Sequence, residues 1–133
     1  MKIIFDNNVL ISASLLKDST AYAAFRLAVS EHVIFSSIGT IKELFLTLTK
    51  EKFDRYVDIE TRLEFIYEFR EKSRITSVGH KLSICRDPKD NMFLELALSG
   101  NADLIISGDN DLLVLNPFRG IPVISPREFV DNY

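Results

Sequence analysis

The chain has 133 residues, 47% of them hydrophobic and ten of them phenylalanine, with a net charge of −3. It is long enough for one folded domain with a real core, too short for two, and too apolar to be disordered. The mixed, slightly acidic charge argues against holding nucleic acid by bulk positive charge, but not against meeting phosphates through bound metal ions, whose carboxylate ligands add negative formal charge.

A single cysteine, Cys85, can form no internal disulfide and suits a reducing cytosol. The amino terminus runs straight into an apolar stretch without a signal-peptide pattern, and no run approaches membrane-spanning length. The expectation is a soluble, cytoplasmic protein with no membrane partner.

In chain order, Lys2 to Phe5 is a continuous apolar run ending in Asp6, Asn7 and Asn8, which predicts a buried strand with a polar tip. Val9 to Leu16 begins helical, and Asp18, Ser19 and Thr20 supply a cap before Tyr22, Phe25, Ala28 and Val29, spaced along one helix face. His32 to Phe35 predicts a second strand, followed by a helix capped at Ser36 or Ser37 with Ile41, Leu44, Phe45 and Leu48 as its apolar stripe. Glu43, beside the core residue Leu44, sits early enough in that helix to face the sheet tips.

A long helix is predicted from about Phe53 to Lys72, with Glu60, Arg62, Glu64, Glu68, Arg70 and Glu71 read as a solvated face and Glu68 in pairing range of Lys72. Ile75 to Val78 predicts a third strand, and His80 to Cys85 an irregular connection. In RDPKDN, residues 86 to 91, Asp87 reads as an N-cap with Pro88 in the first helical position; Asp90 then falls in the first turn, and Gly100 marks the helix stop. Leu104 to Ile106 is a short β-branched run before the small-residue turn Ser107 and Gly108, which leads to Asp109 and Asp111. A last strand is expected near Pro122 to Ile124, and SPRE at 125 to 128 predicts a short terminal helix.

This alternation predicts an α/β fold: a three-layer sandwich, residues 1 to 133 as one domain, with a central mainly parallel sheet flanked by helices. In such sheets ligands bind outside the carboxyl ends of the strands. Asp6 and Asp109 follow two buried strands directly, and Glu43 and Asp90 open helices on the same edge, so all four converge if the strands are parallel. Crowded carboxylates repel one another unless a cation sits among them. Without accompanying cysteine or histidine, they suit Mg²⁺ or Mn²⁺, which can activate water for displacement at phosphorus.

These residues resemble the PIN-domain family, the ribonuclease fold of many prokaryotic toxin–antitoxin systems, and in particular its VapC-like toxins. The resemblance covers essentially the whole chain. Asp6 with Asn8 is similar to the family's opening Asp-x-Asn, Glu43 to its helical glutamate, Asp90 in RDPKDN to its third acid, Asp109 in SGDND to its fourth, and Asp111 to a further acid of one branch. The resemblance implies divalent-metal-dependent hydrolysis of RNA phosphodiesters. Asp6, Glu43, Asp90 and Asp109 would be catalytic, the same four with Asp111 would be metal ligands, and Asn8 and Ser107 would support them. It also implies an RNA substrate and a cognate antitoxin protein, and is compatible with a homodimer. Asn7 stands where many relatives carry a hydroxyl residue.

Plainer roles compete for several of these residues. Asp87 reads as a cap alone, Asp109 and Asp111 are common turn formers, and a helical Glu such as Glu43 is usually solvated. His32 and His80 have no partner at zinc-ligand spacing, Cys85 reads as a structural thiol, and Lys50, Lys52, Arg55, Arg70, Lys72 and Arg74 are left unassigned. Two other classes fit less well. A phosphoacceptor receiver domain carries an acidic pair after its first strand and a late lysine, both missing here, and an idle PIN-like module that binds RNA or protein has no need of four intact acids.

Overall fold

The computed structural model describes residues 1–133. Five strands, β1 (Lys2–Phe5), β2 (Val33–Ser36), β3 (Ser73–Ile75), β4 (Leu104–Ile106) and β5 (Val123–Ile124), form one sheet in the order β3–β2–β1–β4–β5, and every neighbouring pair is parallel. Seven helices surround it: α1 (Asn7–Leu15), α2 (Thr20–Glu31), α3 (Ile38–Leu48), α4 (Ile59–Lys72), α5 (Asn91–Ser99), α6 (Asn110–Leu113) and α7 (Pro126–Asn132). This is the α/β sandwich that the alternation of strand and helix patterns predicts. No helix is long and apolar enough to cross a membrane.

Strand periodicity separates the core into two halves. Ile3, Phe5, Ile34, Leu104, Ile106 and Ile124 face one side, where they pack with Phe25, Leu44, Phe65, Phe69 and Phe129. Ile4, Phe35, Ile105 and Val123 face the other, with Phe93, Leu94, Leu96 and Leu112. Burial on both faces explains why these strands read as unbroken apolar runs rather than alternating ones. The sheet order reverses direction at β1, so the switch point of the topology lies between β1 and β4.

The expected caps are in place. Ser19, Ser37 and Ser125 accept the main-chain N–H of Tyr22, Thr40 and Glu128, at 3.1 Å each, and Asp87 accepts that of Lys89 in the 3₁₀ turn Pro88–Asp90 that leads into α5. The end of α5 works differently from the expectation at Gly100. Gly100 has φ −91°, and the left-handed residue is Asn101, φ 50°. Gly100 lacks a side chain for a reason of space, since a Cβ there would stand 2.6 Å from the Phe35 ring.

Four readings need correction. The helix predicted from Phe53 begins at Ile59: Glu51–Phe53 is a 3₁₀ turn, and Asp58 caps α4 by accepting from Thr61 N–H. The third strand is Ser73–Ile75 rather than Ile75 to Val78. It follows α4 without a linker, because the Ser73 hydroxyl bonds that of Ser36 and Ile34 pairs with Ser73 across the edge. Arg62 is not on a solvated face but wholly buried, at 0% exposure. The end of α3 leaves carbonyls without helical partners, and the guanidinium supplies the donors: to Leu48 and Lys50 O, to Val57 O, and to the Asp54 carboxylate. Glu68, likewise, pairs with Arg26 at 2.7 Å on the neighbouring helix.

Arg62→Ala is expected to destabilise the fold by about 3–5 kcal/mol in urea denaturation, because three carbonyls and a carboxylate lose their donor. Arg62→Lys should recover only a minor part, an ammonium being unable to reproduce the fork. A cost under about 1 kcal/mol would mean that Arg62 acts as an ordinary surface ion pair.

Candidate active site

The site forms where β1 and β4 end side by side. Phe5 pairs with Ile106, and Asp6 N–H donates to Ile106 O at 3.0 Å, which sets Asp6 next to Ser107. Asp6 is 2% exposed. One of its oxygens caps α1 by accepting Val9 N–H at 3.0 Å, and the other accepts the Ser107 hydroxyl. Burial pushes the Asp6 carboxyl up from its ordinary value, against the pull of Ser107 and of the Val9 and Asn8 amides; the charge of Asp109 adds to the rise.

Ser107 also accepts the main-chain N–H of Asp109 at 3.0 Å, so one hydroxyl ties both strand tips together. Asp109 in turn caps α6, accepting Asp111 N–H at 2.9 Å. That turn presents Asp109 and Asp111 toward Asp90, at the end of the 3₁₀ turn before α5. Each of the three brings a carboxylate oxygen within 4.8 Å of the others. Asp90 is held up to about 6, first by burial, then by the Asp109 carboxylate beside it, and further by Asp87 and Asp6.

Asp6 and Glu43 stand outside this triangle and meet it at Asp90. A hollow of about 130 Å³ is lined by Asp6, Asn7, Asn8, Glu43, Asp87 and Asp90, among others. Glu43 lies on its α3 wall, where Lys89 Nζ reaches it at 3.2 Å. Asn8 is exposed at the mouth, whereas Asn7 is buried and donates to Thr40 O at 3.3 Å, tying α1 to α3. The four acids therefore do gather on one edge, with Asp111 in the tight group and Glu43 on the wall.

The donor set is all oxygen. His32 packs against Phe129 and His80 lies in an exposed loop. Cys85 is half-buried, and burial followed by the charges of Asp90, Asp109, Asp111 and Asp87 pushes its thiol up, which keeps it protonated. Mutually repelling carboxylates with no soft ligand available fit a hard divalent cation.

The sequence reading misses how the connection to Asp90 is held. Residues 76 to 87 contain no helix or strand, yet α5 anchors them with a row of side chains: Ser99 accepts Gly79 N–H at 3.0 Å, Glu95 accepts Leu82 N–H at 2.8 Å, and Asn91 accepts both Ile84 and Cys85 N–H, at 3.0 and 2.8 Å. Their spacing of four residues puts all three on one helix face, which is the signal that was there to be read. Arg86 is the other omission; it pairs with Asp111 at 2.7 Å.

A wider groove of about 690 Å³ carries no acid. It lies on another flank of α3, between Ile38, Ile41 and Phe45 and the α4 residues Leu63, Ile66 and Tyr67, with Lys42, Arg70 and Ile75 at its rim. Asp6, Glu43 and Asp90 line the smaller hollow instead.

Residues 2–111 match the model of the family described as PIN domain. The chain is 29% identical over 143 residues to "Uncharacterized protein MJ1680" of Methanocaldococcus jannaschii, an alignment covering 100% of this chain and 92% of that one. Among solved structures, it is similar to a chain of the crystal structure of VapBC2 from Rickettsia felis bound to a DNA fragment from their promoter. The TM-score is 0.67 and the identity 15%, over 94% of this chain and 98% of that chain.

Crowding of the acids has a consequence for stability. Asp90 ionises near 6 in the folded chain against an ordinary 3.8; a carboxyl raised by folding costs stability as it ionises, so the metal-free protein should lose this contribution as the pH rises from about 4 to about 6. In EDTA, Asp90→Asn is expected to melt close to wild type near pH 4 and above it beyond about pH 6. A melting difference that stays constant across that window would show that Asp90 ionises unopposed.

Proposed function

The chain belongs to the PIN domain family, and on that premise we propose that it is a divalent-metal-dependent ribonuclease, hydrolysing RNA phosphodiester bonds as the toxin of a cytoplasmic toxin–antitoxin pair. The observation that carries this reading is the gathering of Asp90, Asp109 and Asp111 oxygens within 4.8 Å of one another, beside a buried Asp6, at the switch point of a parallel sheet.

In this reading Asp6, Glu43, Asp90 and Asp109 are the catalytic acids and, with Asp111, hold Mg²⁺ or Mn²⁺. The bound ion would supply Lewis-acid stabilisation of the phosphoryl oxygens and lower the pKa of water. Ser107 fixes the Asp6 carboxylate through its hydroxyl and the Asp109 main chain through its oxygen. Asp6 is held at both oxygens, so its position is set before any ligand arrives. Asn8, at the mouth of the cleft, is placed to orient a ligand or water there, and its main-chain N–H already supports Asp6.

A partner protein is supported by the acid-free groove between α3 and α4. Ile38, Phe45 and Tyr67 are exposed there, and a rimmed apolar surface of this kind is characteristic of an interaction site. We assign it to a cognate antitoxin; a homodimer formed through the same face would compete with it.

Asp109→Asn is expected to keep the circular dichroism spectrum, since Asn also serves as an N-cap, and in EDTA to melt no lower than wild type, because a repelling charge is removed, while losing RNA cleavage in Mg²⁺ or Mn²⁺. EDTA should abolish cleavage by the wild type. Turnover near the wild-type rate in a clean preparation of the variant would overturn the assignment. In cells, expression of this chain alone should slow bacterial growth, and co-expression of a neighbouring small open reading frame should relieve it. Normal growth at high soluble expression would count against a toxin role.

A further inference from the structure

Two ion pairs close over the acids from one short segment. Arg86, its side chain 84% exposed, reaches Asp111 with Nη2–Oδ1 at 2.7 Å, and Lys89, 68% exposed, reaches Glu43 with Nζ–Oε1 at 3.2 Å. Neither side chain has a second polar partner. The backbone beneath them is fixed on both sides, by Asn91 accepting Cys85 N–H and by Asp87 accepting Lys89 N–H. They are long cationic arms on a held base: Lys89 lines the hollow beside Glu43, and Arg86 reaches the triangle at Asp111.

We propose that Arg86 and Lys89 grip the backbone phosphates of the RNA strand on either side of the reacting linkage; this rests on the ribonuclease reading of the cleft. A chain of net charge −3 with clustered carboxylates repels a polyanion, so productive approach needs positive charge placed locally. A guanidinium and an ammonium are the groups that meet phosphate oxygens best. Their present partners are two of the acids assigned to the ion. A carboxylate that coordinates a divalent cation holds a neighbouring monocation less well, because the two cations repel. Filling the site therefore loosens both ion pairs and frees the arms where the substrate backbone arrives. Surface pairs of this exposure are weak, so little opposes the exchange.

The test is binding rather than cutting. Fluorescence anisotropy with a labelled single-stranded RNA carrying phosphorothioate linkages, which retain charge and resist hydrolysis with a hard ion, is measured in Mg²⁺ across a salt series. The proteins are wild type, Arg86→Gln, Lys89→Gln, the double variant, and Lys17→Gln, an exposed lysine just beyond α1, away from the cleft. Each cleft variant should bind several-fold more weakly and lower the slope of log affinity against log salt by about 0.7, the double variant by about 1.4, as expected for one and two lost phosphate contacts on a single strand. Lys17→Gln should match wild type. Thermal melts check that every variant is folded.

The assignment is overturned if the double variant keeps wild-type affinity and slope, if Lys17→Gln falls equally, or if the wild type does not bind. Two results separate it from the reading beneath it. Wild type that binds with the expected slopes but cuts no unmodified RNA refutes the hydrolase and upholds the grip. A double variant that cuts and binds as wild type does the reverse.

Discussion

A carboxylate shielded from water at the end of a strand must be held, and the way Asp6 is held organises the rest of the molecule. Its two oxygens are taken by the first turn of α1 and by Ser107 at the tip of the adjacent strand. That second bond exists only if β1 and β4 are parallel neighbours in the register that sets Phe5 against Ile106. A slip of one residue would turn Ile3, Phe5, Leu104 and Ile106 out of their half of the core. The packing that keeps the register is therefore also what keeps the site assembled, and the apolar runs of the two strands act at a distance on the chemistry at their ends.

Around Asp6 the fold concentrates charge it would otherwise avoid. Asp109 and Asp111 come from the turn after β4, Asp90 from the turn before α5, and Glu43 from α3. They rest on three separate anchors: the cap of α6, which joins Asp109 to Asp111, the Pro88 turn, and the stripe that seats Leu44 and Leu48 in the core. Repulsion among the acids is sustained because it is spread over several independent anchors, none of which can yield without exposing core or uncapping a helix. The Asp90 carboxyl, raised first by burial and then by the charges beside it, carries the local trace of that crowding.

Much of this was legible in the sequence. Runs such as Lys2 to Phe5 and Leu104 to Ile106 admit few readings when bounded by turn residues, and Ser19, Ser37, Asp87 and Ser125 announce their helices because capping is a local interaction. What escaped was non-local. Arg62 looks like any charged residue on an amphipathic helix, and only the arrival of the end of α3 supplies the carbonyls that bury it. β3 is too short for periodicity to show, and its place is decided by Ser36 across the sheet edge. Among the acids, sequence order gave the residues and their edge of the sheet, but not their division into a tight group of Asp90, Asp109 and Asp111 and a wall at Glu43.

The row of Asn91, Glu95 and Ser99 on α5 grips the preceding connection by its amides and ignores its side chains. The path of residues 79 to 85 is thus written in the helix rather than in the segment itself. Proline at 79, 82, 84 or 85 would remove a donor, but the side chains along the segment are otherwise unencumbered by the task of holding it in place. Leu82 and Cys85 also rest on the core, whereas His80, Lys81 and Ser83 face outward. A stretch of surface bordering the cleft can accordingly be rewritten, by drift or by design, while Asp90 stays where the helix puts it: an interchangeable margin around a fixed centre.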